Sequence, residues 1–142
     1  MQKQLSCVLL IDDDEPTNFI NRVILEEAGY AIHIQITQGG KEALDYLTHC
    51  GKFADAPEQS PCPDLILLDV NMPAMDGWEF LAQYKELPQA QKAEIVVVML
   101  TTSLNPDDEA RASGIPEISG FRNKPLTTVM LRMILTDFFE AG

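Results

Sequence analysis

The run Asp64–Asp69 places four apolar residues between two aspartates, and it constrains the fold more than any other stretch of the chain. Prolines at positions 63 and 73 bound it, and a short apolar run of this kind predicts a strand buried on both faces. Because an unpaired charge is costly to bury, we expect Asp69 to lie at the exit of that strand, beside cations. In an open parallel sheet the carboxyl ends of the strands form the ligand crevice. The alternative is that Asp69 only caps a turn.

Four further segments have strand patterns, and helical patterns separate them. Leu5–Ile11 and Ile95–Leu100 are continuous apolar runs, Ile32–Thr37 alternates as a half-exposed edge strand does, and Ile118–Arg122 is short. Apolar residues recur at helical spacing between the strands, and in the first interval they are Phe19, Ile20, Val23, Ile24 and Ala28. Five strands alternating with five helices predict an α/β fold, a doubly wound parallel sheet with helices on both faces.

Composition narrows the classes of function. A chain of 142 residues predicts a single domain over residues 1–142, with no output domain. The net charge of -12 argues against a nucleic-acid partner, since phosphate contacts need basic residues. We find no apolar run of the roughly 20 residues that span a membrane and no signal peptide, so we expect a cytoplasmic protein. The three cysteines have no paired spacing, which indicates reduced thiols.

Polar residues directly follow four of the predicted strands. Asp12 and Asp13 follow the first strand, Asp69 the third, Thr101 the fourth and Lys124 the fifth. Parallel strands bring these positions to one edge of the sheet, where three carboxylates repel each other unless a cation joins them. Carboxylate oxygens with open coordination positions suit Mg²⁺, and a metal beside a lysine and a hydroxyl suits a phosphoryl group. The pattern predicts phosphoryl chemistry, with Asp69 as the nucleophile that forms an acyl phosphate.

Four motifs together resemble the receiver domain of the response regulators of two-component signalling, in particular single-domain receivers of the chemotaxis type. The motifs are Val8–Asp14, Asp64–Pro73 with Asp76-Gly77, Val98–Thr101 and Lys124-Pro125. Their order and spacing match the family across nearly the whole chain. The resemblance implies the flavodoxin-like (βα)5 fold with strand order 2-1-3-4-5. It also implies that Asp69 takes a phosphoryl group from a histidine kinase or a phosphotransfer protein.

The resemblance also implies a ligand set for the metal. Asp12, Asp13 and Asp69 would bind Mg²⁺, together with the backbone carbonyl of Asn71. Lys124 would then pair with the phosphoryl group.

Thr101 and Phe121 stand at the positions of the family's conformational switch, in which a threonine or serine moves and an aromatic ring on strand five rotates. Thr101 would hydrogen-bond to the phosphoryl group. Phe121 stands where the family often has tyrosine, so a switch here would work by packing alone. The corresponding Lys-Pro peptide is usually cis in the family, and we expect the same of Lys124-Pro125.

A receiver of this kind would signal through the face formed by helix four, strand five and helix five to a downstream protein that the sequence does not identify. We expect a monomer or a weak homodimer, and a phosphoacceptor that promotes its own phosphorylation and dephosphorylation rather than an enzyme. One alternative is a receiver-like binding module that works without phosphorylation. Another is a Mg²⁺-dependent aspartyl-phosphate phosphatase, which needs a second aspartate two residues past the nucleophile. Position 71 is asparagine, which disfavours it.

Overall fold

Five strands and five helices alternate along the part of the chain that the structure describes. The structure is a computed structural model, and it describes residues 5–29, 31–50, 54, 61–88, 95–102 and 105–139. The strands are β1 (Leu5–Ile11), β2 (Ala31–Thr37), β3 (Leu65–Asp69), β4 (Val96–Thr101) and β5 (Gly120–Asn123). The helices are α1 (Glu15–Ala28), α2 (Gly40–Thr48), α3 (Gly77–Tyr84), α4 (Pro106–Ser113) and α5 (Thr128–Phe138).

All five strands pair in parallel, in the order β2-β1-β3-β4-β5. This confirms the predicted flavodoxin-like fold, with β2 at an edge of the sheet as its alternating sequence predicts. The register sets the site, because Asp69 pairs with Leu100 and the next residue of β4, Thr101, pairs with Asn123. The ends of β3, β4 and β5 therefore meet at one edge of the sheet.

Each face of the sheet carries its own apolar core. On one face, Tyr46 of α2 and both Phe80 and Tyr84 of α3 are almost fully buried against the strands. On the other face, Leu25 of α1 and Leu131 of α5 fill the same role. Every residue of β3 is buried, as its four consecutive apolar residues predict for a central strand covered on both sides.

Helix α1 forms as predicted, but its spacing of apolar residues does not mark its buried face. Phe19 is 67% exposed and Ile20 is 52% exposed. The buried positions of α1 are Asn18, Asn21 and Leu25. The first turns of the helix lie beside the acidic loop that follows β1, and a buried amide is useful there because it can hydrogen-bond the loop backbone.

Side-chain caps fix the beginnings of α3 and α4. The Asp76 carboxylate accepts a hydrogen bond from the Glu79 amide at 2.8 Å, and the Glu79 carboxylate accepts one from the Asp76 amide at 3.1 Å. This reciprocal capping box starts α3 at Gly77. Asn105 caps α4 by accepting a hydrogen bond from the Asp108 amide, with Pro106 in the first turn. Among the described helices, none combines the length and apolar character that crossing a bilayer requires.

Candidate functional site

Three carboxylates converge at the carboxyl edge of the sheet. Asp12 and Asp13 follow β1, Asp69 ends β3, and one oxygen from each lies within 4.8 Å of the others. Asp12 is 4% exposed and Asp69 6% exposed, whereas Asp13 is exposed to solvent. The structure therefore brings together the three acidic residues that the sequence selected, with two of them buried and one open to incoming ligands.

Lys124 joins two of these carboxylates. Its ammonium nitrogen lies 2.7 Å from Oδ2 of Asp12 and 3.0 Å from Oδ1 of Asp69, and its side chain is only 12% exposed. The Lys124 amide also donates a hydrogen bond to the carbonyl oxygen of Thr101 at 2.7 Å, which ties the loop after β5 to the end of β4. The Lys124-Pro125 peptide is cis, as the resemblance implies.

Burial and neighbouring charges shift the pKa values of Asp69 and Lys124. Burial raises the pKa of Asp69 and the charge of Asp12 adds to this, against the opposing effect of Lys124. Burial, the largest single cause, lowers the pKa of Lys124, but the hydrogen bonds to Asp12 and Asp69 together with their negative charges outweigh burial and raise it. Lys124 is therefore held as a cation between carboxylates. Three carboxylates face one ammonium, so the crevice keeps an excess of negative charge.

The backbone around Asp12 is fixed by residues that the sequence reasoning missed. The side-chain Nδ2 of Asn18 donates to the Asp12 carbonyl at 2.8 Å, and the backbone amide of Asp12 donates to the Thr37 carbonyl at 3.1 Å. The Asp14 amide donates to Oδ1 of Asp12 at 2.9 Å, which orients that carboxylate. The only signal for Asn18 in the sequence is that an amide side chain stands in the first turn of a helix that directly follows the acidic loop.

The phosphoacceptor candidate lies directly beneath the start of α3. The Gly77 amide donates to the Val70 carbonyl at 2.8 Å. A Cβ atom placed on Gly77 would lie 2.7 Å from the carbonyl oxygen of Asp69 and 3.0 Å from Cα of Val70. Only glycine allows this close approach of two backbone segments. The loop between Asp69 and Gly77 is therefore closed tightly over the end of β3.

The two predicted switch residues lie on neighbouring strands. Thr101 is 1% exposed at the end of β4, one residue beyond the partner of Asp69. Phe121 on β5 pairs with Met99 and stacks on the Trp78 ring, with ring centres 6.4 Å apart. No pattern in the sequence connects Trp78 with the site, because the stack depends on how α3 and β5 pack together.

Asn71 is exposed, and its backbone amide hydrogen-bonds the Asp69 carboxylate, which opposes the rise in the pKa of Asp69. Its carbonyl as a metal ligand stays a prediction.

The donor set fits a divalent cation of the hard, oxygen-binding type. Oxygens bound to one Mg²⁺ at 2.0–2.1 Å lie at most about 4.2 Å apart. The three carboxylate oxygens lie within 4.8 Å of one another, which is close to that limit. The excess negative charge of the crevice favours such an ion.

Comparison with known proteins matches this geometry to a family. The family model described as the response regulator receiver domain matches residues 8–136. Response regulator Rcp1 of Synechocystis sp. is 37% identical over 101 residues, which cover 71% of this chain and 65% of Rcp1. The matched region thus spans a little under two thirds of that relative's length.

Solved structures agree with the assignment. A two-component response regulator from Cytophaga hutchinsonii superposes with a TM-score of 0.83 at 30% identity, covering 96% of this chain and 98% of that one. The Mn²⁺-bound form of response regulator Rcp1 superposes with a TM-score of 0.69 at 28% identity, covering 96% and 97%. Receiver domains bind divalent metal and take phosphate from histidine kinases. The fold, the acidic crevice and the match over residues 8–136 together establish that this chain belongs to the response regulator receiver domain family.

Proposed function

We propose that Asp69 accepts a phosphoryl group from a histidine kinase or a phosphotransfer protein in a Mg²⁺-dependent reaction. The observation that carries the proposal is the position of Lys124, whose ammonium nitrogen lies 2.7 Å from Asp12 and 3.0 Å from Asp69. A fixed cation at the acceptor carboxylate is what transfer of an anionic group requires. Lys124 thus contacts two buried carboxylates, whereas one partner would suffice for an ion pair that served stability alone.

In the proposed reaction a carboxylate oxygen of Asp69 attacks phosphorus, while the bond from phosphorus to the donor nitrogen breaks and the nitrogen keeps the electron pair. Lys124 offsets the charge on the phosphoryl oxygens. Asp12, Asp13, Asp69 and the carbonyl of Asn71 would hold Mg²⁺. Bound there, the ion would supply charge neutralisation at the acceptor and at the phosphoryl oxygens.

The signal would pass from the site through Thr101 and Phe121. A phosphoryl group adds a charge of about -1.5 to -2 and strong acceptor oxygens, which can draw the Thr101 hydroxyl towards it. Phe121 can then fill the space that Thr101 leaves. Such a change would alter the face formed by α4, β5 and α5, which a downstream protein could read.

The same features separate the proposal from its rivals. A phosphatase of the aspartyl-phosphate class needs an acid or base two residues beyond the nucleophile, and Asn71 is neither. We therefore propose a phosphoacceptor rather than an enzyme acting on a separate substrate. We also propose that the protein works in the cytoplasm, as a monomer or a weak homodimer. The intact acidic set argues against a module that works without phosphorylation, since such a module gains nothing from crowded carboxylates.

Radiolabelled acetyl phosphate tests the proposal directly. We expect the wild-type chain to take up label in the presence of Mg²⁺ and Asp69→Asn to take up none, with an unchanged circular dichroism spectrum. Asp64→Asn is the matched control, because Asp64 precedes the same strand at its opposite end and accepts a hydrogen bond from the Ser6 amide. Label at wild-type yield on Asp69→Asn would show that the nucleophile is another residue. Failure of the wild type to bind beryllium fluoride with Mg²⁺ would favour the phosphorylation-independent module.

A further inference from the structure

We propose that Trp78 is a positioning residue for Phe121, and that it connects the acceptor segment to the groove between α3 and α4. The inference rests on the proposed function, because it concerns how phosphorylation of Asp69 is read at the surface. Three contacts carry it. They are the backbone contact of Gly77 with the end of β3, below the Trp78 ring, the stack of Phe121 beside that ring, and the guanidinium of Arg111 above it.

The contact below joins Trp78 to the acceptor strand. Gly77, the residue before Trp78, hydrogen-bonds Val70 and approaches the Asp69 carbonyl so closely that a Cβ atom would lie 2.7 Å from that oxygen. No side chain separates the two backbone segments here. A shift of the backbone at Asp69 or Val70 is therefore passed directly to the first turn of α3, where the Trp78 ring is attached.

The contact beside Trp78 is the stack with Phe121. The ring centres are 6.4 Å apart and the ring planes differ by 17°, which is an offset-stacked arrangement. Phe121 pairs with Met99, two residues before Thr101 on the same strand. For the Phe121 ring to move towards Thr101, it must leave the face of Trp78. The stack therefore favours the position of Phe121 seen here, in which Lys124 bonds Asp69 directly.

The contact above Trp78 comes from α4. The guanidinium carbon of Arg111 lies 4.4 Å from the centre of the Trp78 ring, within the range of a cation–π interaction. Trp78 also lines a groove of about 250 Å³ between α3 and α4, together with Leu81, Lys85 and Ile115. Phe121 does not itself line this groove, but its ring supports Trp78, so the Trp78 wall of the groove loses that support when Phe121 leaves the stack. In this proposal the switch therefore alters a second surface, which is the groove between α3 and α4.

Beryllium fluoride, a phosphoryl mimic, with Mg²⁺ provides the test, because its affinity reports the equilibrium of the switch. If the stack opposes the switch, Trp78→Leu binds beryllium fluoride about three- to tenfold more tightly than the wild type in calorimetry. Trp78→Phe keeps an aromatic face and stays near the wild-type affinity. Phe19→Leu, an exposed aromatic on the opposite face of the sheet, is the matched control and should not change the affinity.

Fluorescence supplies an independent measurement, because Trp78 is the one tryptophan in the chain. Saturation with beryllium fluoride should change its emission in the wild type, and Phe121→Leu should remove most of that change while beryllium fluoride still binds. An affinity of Trp78→Leu within twofold of the wild type, or weaker, would overturn the inference, as would unchanged emission. If calorimetry detects no binding to the wild type, the proposed function itself fails, and the inference falls with it.

Discussion

The ammonium nitrogen of Lys124 lies 3.0 Å from Oδ1 of Asp69, so the carboxylate proposed as phosphoacceptor is already paired with a cation. Both side chains are nearly buried, and Asp12 shares the same ammonium at 2.7 Å. The pair therefore holds the end of β3 to the loop after β5. It also means that a metal ion bound to Asp12 and Asp69 competes with Lys124 for carboxylate oxygens.

Replacing Lys124 by methionine should expose this competition. Without the ammonium, two buried carboxylates repel each other, and we expect the free energy of unfolding in metal-free buffer to fall by about 1–3 kcal/mol. Added Mg²⁺ should recover part of the loss, so that it stabilises Lys124→Met more than it stabilises the wild type. Urea unfolding without MgCl₂ measures the loss of stability, and urea unfolding with MgCl₂ measures the recovery. Equal stabilisation of the two proteins by Mg²⁺ would mean that Lys124 and the metal do not share ligands.

Asp13→Asn should weaken the metal site without weakening the fold. Asp13 is the exposed member of the three carboxylates, so its replacement costs little packing and relieves repulsion. We expect Mg²⁺ and Mn²⁺ affinities to fall at least about tenfold in calorimetric titrations, with metal-free stability within about 0.5 kcal/mol of the wild type. Asp107→Asn, which removes an exposed carboxylate from α4, is the control. An Asp13→Asn variant with wild-type affinity would exclude Asp13 as a ligand.

Gly77→Ala should destabilise the protein through a clash that no rotamer can relieve. The added Cβ would meet the Asp69 carbonyl oxygen at 2.7 Å and Cα of Val70 at 3.0 Å, so backbone must move. We expect a loss of about 1–3 kcal/mol in urea unfolding, as in other overpacked sites. Gly114→Ala is matched to it, because Gly114 has a φ of -86° and its added Cβ would have no neighbour closer than 3.6 Å. Equal effects of the two changes would contradict the close approach at Gly77.

Stability should fall in alkaline solution because of Cys7. Burial raises the pKa of this thiol from 9.0 to about 11, partly opposed by its hydrogen bond with the Tyr46 hydroxyl. Between those two values the unfolded chain releases a proton that the folded chain keeps, so the free energy of unfolding declines as pH rises from 9 to 11. Cys7 accounts for about 2 kcal/mol of this decline in the free energy of unfolding. Burial also raises the pKa of Tyr46, which extends the decline to higher pH.

Urea unfolding of Cys7→Ala at several pH values isolates that share. The variant should be less stable than the wild type at pH 8, and the difference should shrink as pH approaches 11. Cys50→Ala removes an exposed thiol and should leave the slope unchanged. A constant difference between Cys7→Ala and the wild type across this range would show that Cys7 does not titrate differently in the folded state.

The sheet and the crevice were predictable because parallel strands all end at the same edge of a sheet. Apolar runs identify β1, β3 and β4, and parallel pairing brings Asp12, Asp69 and Thr101 to one edge whatever the details of the helices. The spacing of apolar residues does not reveal interactions between backbone and side chain. For this reason it did not indicate that Asn18 would be buried against the Asp12 carbonyl while Phe19 faced solvent.

The stack of Trp78 on Phe121 could not be read from the sequence for a different reason. It depends on the tilt of α3 against β5, which packing of the whole domain decides. The Gly77 contact is of the same kind, since it requires the loop after Asp69 to fold back over its own strand. Local patterns therefore identify the acidic groups and the lysine that meet at the edge of the sheet, and tertiary packing determines what surrounds them.

The three free thiols differ sharply in access, since Cys7 is buried while Cys50 and Cys62 are exposed. Cys50 follows the end of α2 and Cys62 precedes β3, so both lie toward the amino ends of the strands, away from the acidic crevice. A dye or a tether attached at either position would leave the opposite rim open. The domain can therefore be immobilised on a sensor chip with that rim facing outward, accessible to a binding partner added in solution.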